Sequence, residues 1–146
     1  IVSVLALTTA IAQPVAGRAL DADRITVTGG ITVGIVLTAA GLALALLPGL
    51  VGLVSAAIVI GAGCGLITPL AFTMLARSTP QDRLGQTMGA AEIGRECGDA
   101  AGPLAVASIA AVTSVPFGFA GLAVIVVLAG VMTAGVNRAR GRTERA

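Results

Sequence analysis

The chain has 146 residues, of which 56% are hydrophobic and only 11% are charged, and its net charge is +2. Soluble domains carry about 25% charged residues, whereas the mean hydropathy of this chain is +1.01. The composition therefore excludes an ordinary soluble protein and indicates an integral, multi-pass membrane protein.

Proline and arginine residues divide the chain into five apolar segments. We predict an all-α membrane protein, a bundle of about five transmembrane helices at 1–17, 25–47, 50–76, 84–112 and 117–137. A helix needs about 20 residues to cross a bilayer, and we expect only the first segment to be shortened. Because the chain begins at Ile1 inside an apolar run, we expect it to be a fragment. No basic stretch precedes that run, which argues against a secretory signal peptide.

Basic residues fall on alternate connections and in a tail predicted at 138–146. Eight of the nine lie there: Arg18, Arg24, Arg77, Arg83, Arg138, Arg140, Arg142 and Arg145. Five crossings place all of them on one side, which the positive-inside rule identifies as cytoplasmic. We therefore predict an inner-membrane protein with a cytoplasmic C-terminus. The tail also fits a lipid-surface or nucleic-acid patch, but orientation alone accounts for it, and we expect no nucleic-acid partner.

The third segment is rich in glycine and contains an internal proline, with Gly61, Gly63, Gly65 and Pro69 close together. Glycines at every second position cannot all lie on one helix face, so a simple packing ladder explains them poorly. Deformable helices at membrane depth are tolerated where they line a cavity. We therefore predict that these four residues line a cavity.

The fourth segment carries a charged quartet, which consists of Glu92, Arg95, Glu96 and Asp99. At about 100° per residue, the four side chains share an arc of roughly 100° on one helix face. Arg95 is three residues after Glu92 and four before Asp99, so we expect it to bridge both carboxylates. Glu96 has no obvious partner in this helix. Each charge would cost about 2.5 to 3.5 kcal/mol at the bilayer centre, so the quartet must face protein or water.

Two roles stay open for the charged quartet. In the first, Asp99 takes up and releases a proton or binds a cation during a transport cycle, since it lies farthest along the segment. In the second, the quartet is an ion-pair lock that holds helices or cytoplasmic gates together, with partners outside this chain. Intramembrane charges perform both tasks.

A second face of the same segment carries small residues. Gly94, Gly98 and Gly102 recur every four residues, which lets another helix backbone approach closely. Pro103 follows at once and removes a backbone hydrogen bond, so we predict a kink between the charged half and the apolar half of this helix.

Little in the chain indicates catalysis or metal binding. Cys64 and Cys97 are the two cysteines, and no His is present to share a metal with them. We interpret both as small buried thiols in helix packing. No Ser or Cys has an evident base, so we predict neither an enzyme nor a cofactor.

Three motifs together resemble the major facilitator superfamily. The connection with Gly17, then Asp21 four residues on and a following Arg24, resembles the loop between the second and third helices of each half of that family. The fourth segment, with Gly89, then Gly98, then Gly102-Pro103, is similar to the antiporter signature of the family's fifth helix. The glycine-rich third segment resembles the tenth helix. The likeness covers essentially the whole chain and fits helices 8–12 better than helices 2–6.

This resemblance implies a secondary transporter that alternates between inward-open and outward-open states by rocking two six-helix halves around a central site. It implies a gating role for the loop of Gly17, Asp21 and Arg24. The third segment would line the cavity and the fourth would lie between the halves. The implied partners are a small-molecule substrate, the lipid bilayer and the missing N-terminal half. The acidic quartet and the antiporter-like spacing point to proton-driven efflux or exchange.

Two other interpretations compete with a major facilitator. Ala90, Ala91 and Glu92 with a glycine soon after resemble the coupling loop of a binding-protein-dependent permease, although that loop must lie outside the membrane. A non-transporting membrane scaffold is the second, in which the glycine ladder forms a permanent helix interface and the charges are pairing devices.

Overall fold

The computed structural model describes residues 1–143, which form five helices. They are α1 (Val2–Asp21), α2 (Val27–Leu44), α3 (Leu50–Ser78), α4 (Leu84–Val112) and α5 (Val115–Thr143), with a single 3₁₀ turn at Gln81–Arg83 before α4. No strand occurs between residues 1 and 143. The prediction of an all-α bundle with about five helices is therefore confirmed.

Local chemistry accounts for the helix ends. The hydroxyl of Thr26 accepts a hydrogen bond from the Gly29 N–H at 3.1 Å, which caps the start of α2. Asp23 adopts a left-handed φ of 54° after α1, a conformation that Asp tolerates better than most residues. Gly49 has a φ of 91° directly before α3, a backbone region that glycine enters at little cost.

Helix bounds differ from the predicted segments by a few residues. Helix α1 continues to Asp21, because the chain reaches no glycine or proline stop after Gly17. Helix α5 extends past the predicted boundary at 137 as far as Thr143, and arginines are good helix formers. Residues 144–146 of the predicted basic tail, with Arg145, lie outside the described residues, and so do the side chains of Arg138, Arg140 and Arg142.

Helix α3 lies at the centre of the larger part of the bundle. It packs against α1 and α2, while α5 packs against α2 and α4, and α3 touches α4 only slightly. Small side chains dominate the buried positions, which include Ala16, Ala56 and Ala57 beside Leu42 and Leu70. Membrane helices pack closely through such small residues, because lipid offers no hydrophobic driving force between helices.

The outer surface is strongly apolar. Val2, Val51 and Val112 are each more than four-fifths exposed, at 81%, 83% and 84%. In the described part of the chain, three helices are long and apolar enough to cross a membrane, at Val27–Leu44, Leu50–Ser78 and within Val115–Thr133. Helix α4 is not among them because it contains the charged quartet, and α1 contains Gln13 and Arg18. An apolar exterior of this size fits a protein surrounded by lipid.

Candidate functional site

Helix α4 has a packed half and an open half. Its apolar half packs against α5, where a Cβ added at Gly118 would lie only 2.7 Å from the Val106 carbonyl oxygen and one at Gly121 would lie 2.8 Å from Ile109. Its first half carries the charged quartet and makes few contacts, and no residue of α4 is buried. The charges therefore lie on a surface that the described chain leaves uncovered.

Arg95 is the centre of the charged quartet. Its Nε donates to both carboxylate oxygens of Glu92 at 3.2 Å, and its Nη2 donates to Glu92 Oε1 at 2.7 Å. Its Nη1 donates to Asp99 Oδ2 at 2.8 Å. The bridge expected from the three- and four-residue spacings is therefore present.

Glu96 also pairs with Arg95, through a contact of its Oε1 with Nη2. This differs from the expectation that Glu96 has no partner in the helix. Adjacent positions do not face each other on a helix, but the long guanidinium fork has five donors and reaches sideways to the neighbouring carboxylate. One arginine thus serves three carboxylates, and the quartet keeps a formal charge of minus two.

The quartet is open to its surroundings. The side chain of Arg95 is 39% exposed, and those of Glu92, Glu96 and Asp99 are 51%, 64% and 65% exposed. Exposed ion pairs contribute little to stability, because solvent screens the charges and the long side chains lose conformational entropy when they pair. The cluster is therefore poorly explained as a device that stabilises this chain by itself.

The predicted packing face of α4 is also uncovered. A Cβ added at Gly89, Gly94, Gly98 or Gly102 would meet nothing within 4 Å. The helix continues through Pro103 to Val112. The packing roles predicted for the four glycines therefore require a partner beyond the described residues, and these roles and the kink predicted at Pro103 stay predictions.

The glycines of helix α3 lie on two sides of the helix and contact two different neighbours. Gly61 and Gly65 face α1, where the Thr9 hydroxyl donates to the Gly61 carbonyl at 3.1 Å and a Cβ at Gly65 would lie 2.9 Å from the Thr9 carbonyl oxygen. Gly63 faces α2, where a Cβ would lie 2.6 Å from the Gly34 carbonyl oxygen. All three are buried. The structure thus places them in two helix contacts, and their predicted cavity-lining role stays a prediction.

Pro69 lies inside α3 and leaves the Gly65 carbonyl without its usual helical donor. The hydroxyls of Thr68 and Thr73 donate to the carbonyls of Cys64 and Pro69, at 3.0 and 2.8 Å. Both bonds stay within the helix near Pro69, and neither reaches the Gly65 carbonyl.

The predicted gating residues lie at the end of α1. Gly17 and Asp21 belong to the helix, whereas Arg24 follows in the turn and donates its backbone N–H to the Ala19 carbonyl at 2.9 Å. Asp21 and Arg24 form no ion pair with each other. The structure brings these residues into one corner of the bundle without joining their side chains.

Sequence reasoning missed a groove between α2 and α5. It has a volume of about 780 Å³ and is lined mainly by apolar side chains of these two helices, together with Met74 of α3. The lining residues are Thr28, Ile31, Thr32, Ile35, Val36, Ala39, Met74, Val127, Gly130, Val131 and Thr133. No motif marks these positions, because the groove arises only when the two helices pack.

Cys64 is half-buried and Cys97 is exposed, and both are free thiols. The exposure of Cys97 contradicts its interpretation as a buried packing residue, because the face of α4 on which it lies is uncovered.

Between residues 1 and 143, no group of three or more His, Cys, Asp or Glu side chains is arranged to hold a metal ion.

Comparison with known proteins identifies the family. The model of the Major Facilitator Superfamily matches residues 1–145, nearly the entire chain. No curated protein and no solved structure gives a significant match. The family consists of membrane transporters, which agrees with the helical bundle and its apolar exterior. The chain therefore belongs to the major facilitator superfamily.

Proposed function

We propose that this chain is part of a secondary active transporter that moves a small molecule by alternating access and couples efflux or exchange to protons. Family membership supports transport in general. Alternating access requires two repeats, so we place a further six-helix half opposite the open face of α4. The same proposal places the protein in the inner membrane, with residues 1–137 as the transmembrane bundle and 138–146 as a cytoplasmic tail.

The sharing of Arg95 among three carboxylates carries the coupling proposal. Protonation of Asp99 would remove the negative charge that Arg95 Nη1 contacts at 2.8 Å. Charge-assisted hydrogen bonds are about twice as strong as neutral ones, so Arg95 would then favour Glu92 and Glu96. A proton on one carboxylate therefore changes the surface that α4 presents to a partner helix, which is the kind of change that alternating access requires.

The first test is the substitution Asp99→Asn in the full-length protein reconstituted in vesicles. Asparagine keeps the size and the hydrogen-bonding oxygen but cannot ionise, so we expect proton-driven transport to be abolished while substrate exchange without a proton gradient continues. The matched control is Asp82→Asn, because Asp82 is an exposed carboxylate in the connection before α4. Proton-driven transport that survives in Asp99→Asn would rule out coupling through this residue.

The ion-pair lock is the second candidate; the contact of Arg95 with Glu92 supports charge pairing within α4, and the partners of the lock on other helices are part of the proposal. Arg95→Glu removes the shared partner of three carboxylates and adds a fourth negative charge, so it should weaken transport by at least about tenfold, the size of a single lost charge-assisted contact. The double change Glu92→Arg with Arg95→Glu places the arginine within reach of residues 95 and 96 at helical spacings. Recovery of transport in the double variant, measured by initial uptake rates, would favour the lock. A double variant as inactive as the single one would count against it.

A further inference from the structure

The groove between α2 and α5 has the length of one lipid leaflet. Its lining on α2 extends from Thr28 to Ala39, which at about 1.5 Å per residue is roughly 16 Å along the helix. One leaflet of hydrocarbon is about 15 Å thick, half of a core of about 30 Å. The groove therefore matches an acyl chain in length.

The chemistry of the groove fits an acyl chain better than a polar molecule. Its threonines lie toward one end, and two of them already have partners: Thr32 donates to the Thr28 carbonyl at 2.9 Å, and Thr133 donates to the Ala129 carbonyl at 2.8 Å. The other end is apolar, with Val36 61% exposed. A ligand that fills this surface needs hydrocarbon and few hydrogen-bonding groups.

Two arginines lie close in sequence to residues that line the groove. Arg24 is four residues before Thr28, in the turn that precedes α2, and Arg77 is three residues after Met74 in α3. Both are exposed, and neither has a carboxylate within 4.0 Å in the described part of the chain, although Asp21 at the end of α1 and Asp23 in the following turn are close to Arg24 in sequence. Arg83 differs because it lies 3.9 Å from Asp82.

We propose that this groove is a binding site for an anionic phospholipid, with one acyl chain between α2 and α5 and the phosphate against Arg24 and Arg77. A guanidinium group can donate two parallel hydrogen bonds to a phosphate, and basic pockets between membrane helices bind anionic headgroups. The charge at one end and the hydrocarbon along the rest match the two parts of such a lipid. This site depends on α2, α3 and α5 spanning the membrane, and it does not depend on proton coupling.

The test uses the full-length protein reconstituted in vesicles of phosphatidylcholine and phosphatidylglycerol in equal amounts, followed by native mass spectrometry of the lipids that stay bound. We expect retained phosphatidylglycerol in the unmodified protein. The double variant Arg24→Gln with Arg77→Gln should lose about tenfold in phosphatidylglycerol occupancy, whereas Arg83→Gln should match the unmodified protein. Equal loss in Arg83→Gln, or unchanged retention in the double variant, would overturn the headgroup assignment.

A second pair of variants tests the acyl-chain position. Val36→Trp fills the groove and should reduce retention, whereas Leu128→Trp is a matched change at an exposed residue of α5 that does not line it. Retention of phosphatidylcholine equal to that of phosphatidylglycerol would reveal a general apolar contact and would overturn the site. The site would also be overturned if a helix from elsewhere in the protein covered the groove. Val36→Cys, in a background lacking Cys64 and Cys97, would then be protected from a lipid-soluble maleimide.

Discussion

At the residue scale, the glycines of this chain lie in two kinds of environment, one closely packed and one open. Gly34 and Gly63 lie where α2 and α3 touch backbone to backbone, and a Cβ at Gly63 would lie 2.6 Å from the Gly34 carbonyl oxygen. At Gly17, by contrast, a Cβ would meet nothing within 4 Å. The same residue type therefore sets the distance between helices at one position and leaves space open at another.

Matched alanine substitutions should separate these two positions. Gly63→Ala places a methyl group against the backbone of α2, so the helices must move apart, and we expect destabilisation of about 1 to 3 kcal/mol. Gly17→Ala meets no neighbour and improves helix propensity by up to about 1 kcal/mol. Thermal unfolding of the full-length protein in detergent measures both. If Gly63→Ala were as stable as Gly17→Ala, the close contact between α2 and α3 would be wrong.

At the element scale, α4 shows which features can be predicted from the sequence and which cannot. The arc of charges and the bridge from Arg95 to Glu92 and Asp99 follow from helical periodicity alone, so they could be predicted without any neighbour. The partner of Glu96 could not, because its contact depends on how one flexible guanidinium divides its donors. What covers Gly94 and Gly98 depends on chain beyond the described helices.

Helix α3 illustrates the opposite case. The spacing of its alternating glycines correctly predicts that they do not share one helix face. Two different structural requirements, however, produce the same spacing. A helix that lines a cavity needs deformable positions, and a helix between two neighbours needs small residues on both sides. Gly61 and Gly63 contact α1 and α2 respectively, a packing that sequence spacing alone cannot distinguish from a cavity. The groove between α2 and α5 is unpredictable for a related reason, since residues far apart in the chain line it.

At the scale of the whole molecule, five helices and the positions of the arginines define a testable topology. Helices α2, α3 and α5 have apolar stretches that suffice to cross a membrane. Helix α4 does not qualify by composition, so its crossing depends on protein or water around the charged quartet. If α4 does cross, the connection before it and the connection after it face opposite sides.

Single cysteines in a background lacking Cys64 and Cys97 test that crossing. We expect a membrane-impermeant maleimide to label Leu47→Cys and Ser114→Cys from outside intact cells, and to label Gln81→Cys only after the membrane is opened. All three positions lie in connections and are exposed, so labelling depends on the side of the membrane rather than on burial. Labelling of Gln81→Cys and Ser114→Cys from the same side would mean that α4 does not span. The charged quartet would then lie at the membrane surface, and the proposal that Asp99 couples transport to protons would lose its structural basis.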